Sequence, residues 1–138
     1  MDQKKKILIV DDERDIVKAL MIRLQSNGYD VIAAFDGAQG LFMANKEIPD
    51  LVILDIRMPA GDGFSVAEKL KESDRTDQIP IIFLTGIPGG EERANRVGAC
   101  SYLLKPYNPS VLLDAIKKAL ETEGRQTVGT TGMPSLSA

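Results

Sequence analysis

A doubly wound α/β fold, with a parallel sheet covered by helices on both faces, is predicted by three features of the sequence. Short, continuous apolar runs recur along the chain. Amphipathic helical stretches fall between them, and glycine, asparagine or aspartate punctuates the junctions. Apolar runs that do not alternate with polar residues mark strands covered on both faces.

Five such runs are present: Ile7-Leu8-Ile9-Val10, Val31-Ile32-Ala33-Ala34, Leu51-Val52-Ile53-Leu54, Ile81-Ile82-Phe83-Leu84 and Tyr102-Leu103-Leu104. All five are expected to be buried strands. The first helix is predicted from about Glu13 to Ser26, with Ile16, Leu20 and Leu24 on its apolar face and Asn27-Gly28 as its C-terminal cap. Asp36-Gly37 opens the second helix and Asp62-Gly63 the third. A brief fourth helix is predicted from Gly90 to Val97, after Pro88-Gly89-Gly90. Asn108 then supplies an N-cap with Pro109 at the first helical position, and Val111, Leu112, Ala115, Ile116, Ala119 and Leu120 form the apolar stripe of the fifth helix. Strict alternation of strand and helix with right-handed crossovers leaves few arrangements of five units. The expected one is a flavodoxin-like doubly wound sheet of strand order 2-1-3-4-5. Residues 1–121 then form one domain. The glycine-, serine- and threonine-rich stretch 122–138 is expected to be a disordered tail or truncated linker.

Composition narrows the function. The chain of 138 residues is 43% hydrophobic and 27% charged, and no apolar run approaches the ~20 residues of a membrane-spanning helix. A membrane role is excluded on that reading. Positive charge at Lys4-Lys5-Lys6 is followed by only four apolar residues before Asp11-Asp12, so the segment is a strand and not a signal peptide, and the cytoplasm is the expected compartment. The single cysteine, Cys100, fits a reducing compartment and is expected to be a small buried apolar residue. A net charge of −3 with scattered Lys and Arg argues against direct nucleic-acid binding. The chain has no histidine, which removes the common general base and the commonest metal ligand at once. Any catalysis must run on carboxylates, hydroxyls, lysine and a hard cation.

Ligands of an open parallel sheet bind at the carboxyl ends of its strands. The residues there are Asp11 and Asp12, Phe35-Asp36, Asp55, Thr85 and Lys105. Taken singly, Asp11 or Asp12 could cap the first helix, Thr85 could be an ordinary strand-end residue and Lys105 a surface lysine before a turn proline. Asp55 follows four apolar residues directly, and burying a carboxylate there is costly without a partner. Three carboxylates at one point repel each other, and a hard divalent cation relieves that repulsion. Oxygen-only ligation selects Mg²⁺, or Mn²⁺, over zinc. Lys105 as a point charge and Thr85 as a hydroxyl donor would complete a shell around a phosphoryl group.

Asp11-Asp12, Asp55 with Met58-Pro59 and Asp62-Gly63, Thr85-Gly86, Gly98-Ala99 and Tyr102-Leu103-Leu104-Lys105-Pro106 together resemble the receiver domain of two-component response regulators over roughly residues 4–121. The resemblance implies that Asp55 is the phosphoacceptor and Asp12 a direct Mg²⁺ ligand. Asp11 would help through water, and the backbone carbonyl of Arg57 would complete the protein ligands. It further implies that Lys105 pairs with phosphoryl or carboxylate oxygens and that Thr85 bonds a phosphoryl oxygen. Tyr102 would be the aromatic that changes rotamer, and the Lys105-Pro106 bond would be cis. The implied donor is a histidine kinase or histidine phosphotransfer protein, and the implied output a downstream protein target or a homodimer. The chain would then be no enzyme beyond its own phosphorylation and dephosphorylation. It departs from the pattern between Thr85 and Lys105, which is shorter by about two residues, and at Ala60-Gly61. A Mg²⁺-dependent aspartyl-phosphate hydrolase is the alternative, but it would carry an Asp-x-Asp pattern on the first strand and a cap domain. A flavin carrier would want a Ser/Thr/Gly-rich loop where Asp11-Asp12-Glu13 stands.

Overall fold

The computed structural model describes the backbone of residues 3–129 and the side chains of residues 3–121. Ten elements alternate without exception: β1 (Lys6–Val10), α1 (Arg14–Ser26), β2 (Asp30–Ala34), α2 (Gly37–Glu47), β3 (Leu51–Leu54), α3 (Gly63–Glu72), β4 (Ile81–Thr85), α4 (Glu91–Arg96), β5 (Ser101–Leu104) and α5 (Pro109–Gly129). The five strands form one sheet in the order β2-β1-β3-β4-β5, and every neighbouring pair is parallel. This is the predicted doubly wound topology.

Alternation along each strand divides the core in two. Ile7, Ile9, Leu51, Ile53, Ile82 and Leu84 face α1 and α5, where they meet Val17, Leu20, Leu24, Leu112, Ile116 and Ala119. Leu8, Val10, Val52, Leu54, Ile81 and Phe83 face the other way, onto Ala44 of α2, Phe64, Val66, Ala67 and Leu70 of α3, and Ala94 of α4. The predicted caps hold three of the helices in place. Asp36 accepts from the Gln39 N–H, Asp62 from the Ser65 N–H, and Asn108 from the N–H groups of Ser110 and Val111. Gly28 follows Asn27 with φ 90°, the left-handed geometry that glycine adopts at little cost.

Several expectations need correction. Only the three central strands bury their apolar runs throughout; β2 and β5 are half-buried, because the strand order leaves each with one sheet neighbour and an open edge. On α1, Leu20 and Leu24 are buried as predicted, but Val17 completes the buried face and Ile16 is only half-buried. Glu13 is the N-cap of α1 and not its first residue. On α5, Val111 is 50% exposed, because Leu112, Ile116 and Ala119 take the inward positions. Helix α4 has six residues, Glu91–Arg96. Cys100 is exposed, since it lies just before β5 at the sheet edge. Helix α5 continues to Gly129, past Thr122 where the apolar pattern stops. Residues 130–138 of the expected tail lie outside the described residues. Among the described residues no helix is long and apolar enough to cross a membrane.

Candidate functional site at the carboxyl edge of the sheet

The central strands deliver their next residues to one rim. The Asp55 N–H donates to the Val10 carbonyl at 2.9 Å, the Asp11 N–H to Ala34 at 3.1 Å, and the Lys105 N–H to Thr85 at 2.9 Å. These ladder bonds extend each strand pair by one residue, so the side chains of Asp11, Asp55 and Lys105 start from backbone already fixed by the sheet. The turn after Asp55 is fixed by close approach. The Gly63 N–H donates to the Ile56 carbonyl at 2.7 Å, and a Cβ on Gly63 would collide with the carbonyl of Asp55. Asp62-Gly63 therefore does more than open α3: the glycine lets the helix start against the backbone of the candidate phosphoacceptor.

Lys105 gathers the charges. Its Nζ lies 2.8 Å from Asp11 Oδ2, 2.7 Å from Glu13 Oε1 and 3.0 Å from Asp55 Oδ2. Asp55 Oδ1 accepts from the Ile56 N–H at 2.7 Å, and Asp11 Oδ1 from the Glu13 N–H at 2.9 Å. Asp11 and Asp55 are buried, at 3% and 6% exposure, whereas Asp12 is exposed. One carboxylate oxygen from each of Asp11, Asp12 and Asp55 lies within 4.8 Å of the others, close enough to share a cation. Burial pushes the Asp11 carboxyl above its usual range, and the nearby Asp55 charge adds to that, against the pull of Lys105 and the Glu13 N–H. Burial alone would depress the Lys105 ammonium, but its hydrogen bonds to Asp11, Glu13 and Asp55 outweigh it and raise the pKa. Both partners of the Lys105–Asp11 pair thus move upward: the carboxylate loses more by desolvation than one ammonium, shared three ways, returns.

Thr85 closes β4 fully buried, and its Oγ1 accepts from the Ile87 N–H at 3.3 Å. The Ile87 carbonyl in turn accepts from the Tyr102 hydroxyl. The Tyr102 ring packs on Phe83, with centroids 6.1 Å apart, and against Gly90, where a Cβ would collide with the phenol. Arg57 lies two residues beyond Asp55 in the bend leading to α3. The Lys105-Pro106 peptide is cis.

Asp11, Asp55 and Lys105 are thus in direct contact, with Asp12 and Thr85 on the same rim. Asp36 is spent on capping α2. Two participants were not singled out from the sequence. Glu13 had a signal, being the third acid in a row after β1. The role of Ile87 runs through its main chain, which no side-chain pattern displays.

Fold and site together define a class: a doubly wound α/β domain with carboxylates and one lysine gathered at the carboxyl edge of the sheet. Residues 7–117 match the model of the response regulator receiver domain, and the chain belongs to that family. It is 43% identical over 121 residues to a probable transcriptional regulator, ycf27, of Porphyridium aerugineum, covering 86% of this chain and 49% of that protein. To the response regulator PleD of Caulobacter vibrioides it is 36% identical over 114 residues, covering 81% of this chain and 25% of PleD. The chain therefore spans half or less of these relatives' length. Among solved structures, a CheY-like receiver domain from Methanospirillum hungatei superposes with a TM-score of 0.84 at 30% identity, covering 90% of this chain and 99% of that one. The receiver domain of a sensor histidine kinase from Pseudomonas aeruginosa superposes with a TM-score of 0.79 at 27% identity, covering 86% and 99%, and is described with a magnesium ion coordinated in its active-site cleft.

Proposed function

We propose that Asp55 accepts a phosphoryl group from the phosphohistidine of a partner histidine kinase or histidine phosphotransfer protein. The modified site then reshapes a surface that binds a downstream protein or a second copy of the chain. The observation that carries this reading is the environment of the Asp55 carboxylate. It is buried at the end of β3, with one oxygen on the Lys105 ammonium, the other on the Ile56 N–H, and the carboxylates of Asp11 and Asp12 beside it. A carboxylate placed there for packing alone would be an unrewarded desolvation.

In the transfer, a bond forms between an Asp55 carboxylate oxygen and phosphorus as the P–N bond to the departing imidazole breaks. Lys105 brings positive charge to the phosphoryl oxygens, where charge is concentrated. Asp11, Asp12, Asp55 and the Arg57 carbonyl would hold Mg²⁺, or Mn²⁺ in its place. The fit rests on an all-oxygen donor set whose carboxylates converge without histidine or cysteine. When bound, the cation supplies further neutralisation of phosphoryl charge. Thr85 and Tyr102 form the switch. A Thr85 hydroxyl drawn towards a phosphoryl oxygen leaves the Ile87 N–H it now accepts from, while the Ile87 carbonyl holds the Tyr102 hydroxyl. The chemistry at the rim is thereby linked to β5 and α4.

Incubation with acetyl phosphate and MgCl₂, followed by intact-mass measurement, tests the assignment. A single phosphoryl group is expected on the parent, none on Asp55→Asn, and none on the parent in EDTA. Equal labelling of Asp55→Asn would overturn the reading.

A further inference from the structure

We infer that Glu13 is a positioning residue that competes with the incoming phosphoryl group for Lys105, and so holds back phosphorylation of the resting domain. The inference rests on Asp55 being the phosphoacceptor, and it assigns to that reaction a residue outside the predicted set.

Three observations support it. First, Lys105 is already engaged: its Nζ donates to Glu13 and Asp55 and pairs with Asp11. An ammonium has three N–H donors, and those of Lys105 face three carboxylates, on Asp11, Glu13 and Asp55. A phosphoryl oxygen can gain a direct bond from Nζ only if one of them yields. Second, the three are unequal. The side chains of Asp11 and Asp55 are 4% and 8% exposed, whereas that of Glu13 is 57% exposed and returns to water readily on release. Glu13 is therefore the partner that yields, although its contact is the shortest of the three. Third, Glu13 stands at the N-cap of α1 and makes no side-chain cap bond there, while Asp36, Asp62 and Asn108 all cap the helices they precede. Its carboxylate reaches across 92 residues of sequence to Lys105 instead. The helix start forgoes an ordinary local interaction, and the carboxylate becomes the one exposed partner of the three that Lys105 faces.

The phosphoryl donor is itself an anion approaching this rim. Glu13 therefore acts in two ways, by occupying an N–H of Lys105 and by adding negative charge, and two substitutions separate them. Glu13→Asp keeps the charge but, shortened by a methylene, no longer reaches Nζ. Glu13→Gln keeps the reach and loses the charge. The rate of Asp55 phosphorylation by sub-saturating acetyl phosphate with MgCl₂ would be measured for the parent and both variants. Alongside it, ¹⁵N NMR of the Lys105 ammonium would be recorded in metal-free, phosphate-free protein.

Both variants are expected to be labelled faster than the parent, by about two- to fivefold, the range open to an ion pair with one exposed partner. The Lys105 ammonium resonance is expected to shift, and its protons to exchange faster with water, in Glu13→Asp. Acceleration in Glu13→Gln alone, with the Lys105 resonance unmoved in Glu13→Asp, would mean that only charge matters and would overturn the competition. Unchanged or slower labelling in both variants would overturn it too. If the parent itself were not labelled, the assignment of Asp55 would fall and the inference with it. A parent that is labelled beside unaltered variants removes the role of Glu13 alone.

Discussion

Lys105 faces two buried carboxylates, and no other ion pair of Asp11 or Asp55 is found among the described residues. Replacement by Met would leave those charges desolvated and uncompensated. In metal-free protein, Lys105→Met is expected to lower unfolding free energy by roughly 3 kcal/mol, read from denaturant midpoints, with Mg²⁺ restoring part of the loss. The pH dependence follows from the direction of the shift. The folded-state pKa of Lys105 lies above its ordinary 10.5, so its contribution is complete below that pH. It declines as pH rises through the folded value, because the unfolded chain gives up the proton first. The parent should therefore lose stability on the alkaline side through a component that Lys105→Met lacks. Asp11 acts in the opposite part of the range: its pKa is raised from 3.8, so protonation favours the folded state, and that benefit disappears as pH rises through its folded value. At this scale the sequence was informative about position: it placed Asp11, Asp12, Asp55, Thr85 and Lys105 at the carboxyl ends of strands, and the structure has them on one rim. It marked Glu13 only as a third acid after β1 and said nothing of its partner, which lies 92 residues away.

Helix α4 and the segment before it illustrate how an element depends on one missing side chain. Gly90 leaves room for the Tyr102 phenol, and the ring fills that room while bonding to the Ile87 carbonyl. Gly90→Ala is expected to displace the Tyr102 ring from Phe83. The change would appear as altered Tyr102 ring-proton shifts in the absence of any phosphoryl donor, with a loss of stability of about 1–3 kcal/mol from overpacking. Unchanged Tyr102 resonances would show that α4 absorbs the extra methyl by moving. The boundaries of α2, α3 and α5 were legible because Asp36, Asp62 and Asn108 each make the cap bond their position suggests. Two features of the helix ends were not. Ile48 caps α2 at φ 44°, in the left-handed region that β-branched residues avoid, so nothing in its identity announces the turn. The face of α1 is set by packing against β1 and α5, which decides between Ile16 and Val17 where periodicity alone does not.

At the scale of the molecule, the sheet is a septum between two apolar compartments that, among the described residues, share no buried side chain. Ile79→Val on one side and Ile116→Val on the other should each cost about 0.5–1.5 kcal/mol, and the double variant should match their sum within about 0.5 kcal/mol. Urea unfolding of the three variants would check this, and a clear excess would show that strain passes through the sheet. The overall topology was legible because five doubly covered strands joined by right-handed crossovers admit few alternatives. The half-buried state of β2 and β5 was not, since an edge strand carries the same apolar run as a central one.

The same sheet makes the site a checksum of the fold. Its groups stand at or just past the ends of four different strands, and they meet only while Val10 pairs with Leu54, Leu54 with Phe83, and Thr85 with Leu104. A slip of one residue in any pair would move a group by about 3.3 Å along its strand. That exceeds the tolerance of the 3.0 Å contact between Lys105 and Asp55. On the proposed function, a misassembled copy of this domain would therefore be mute and not falsely active, and a cell reading its phosphorylation would be reading, in the same measurement, that the chain had folded.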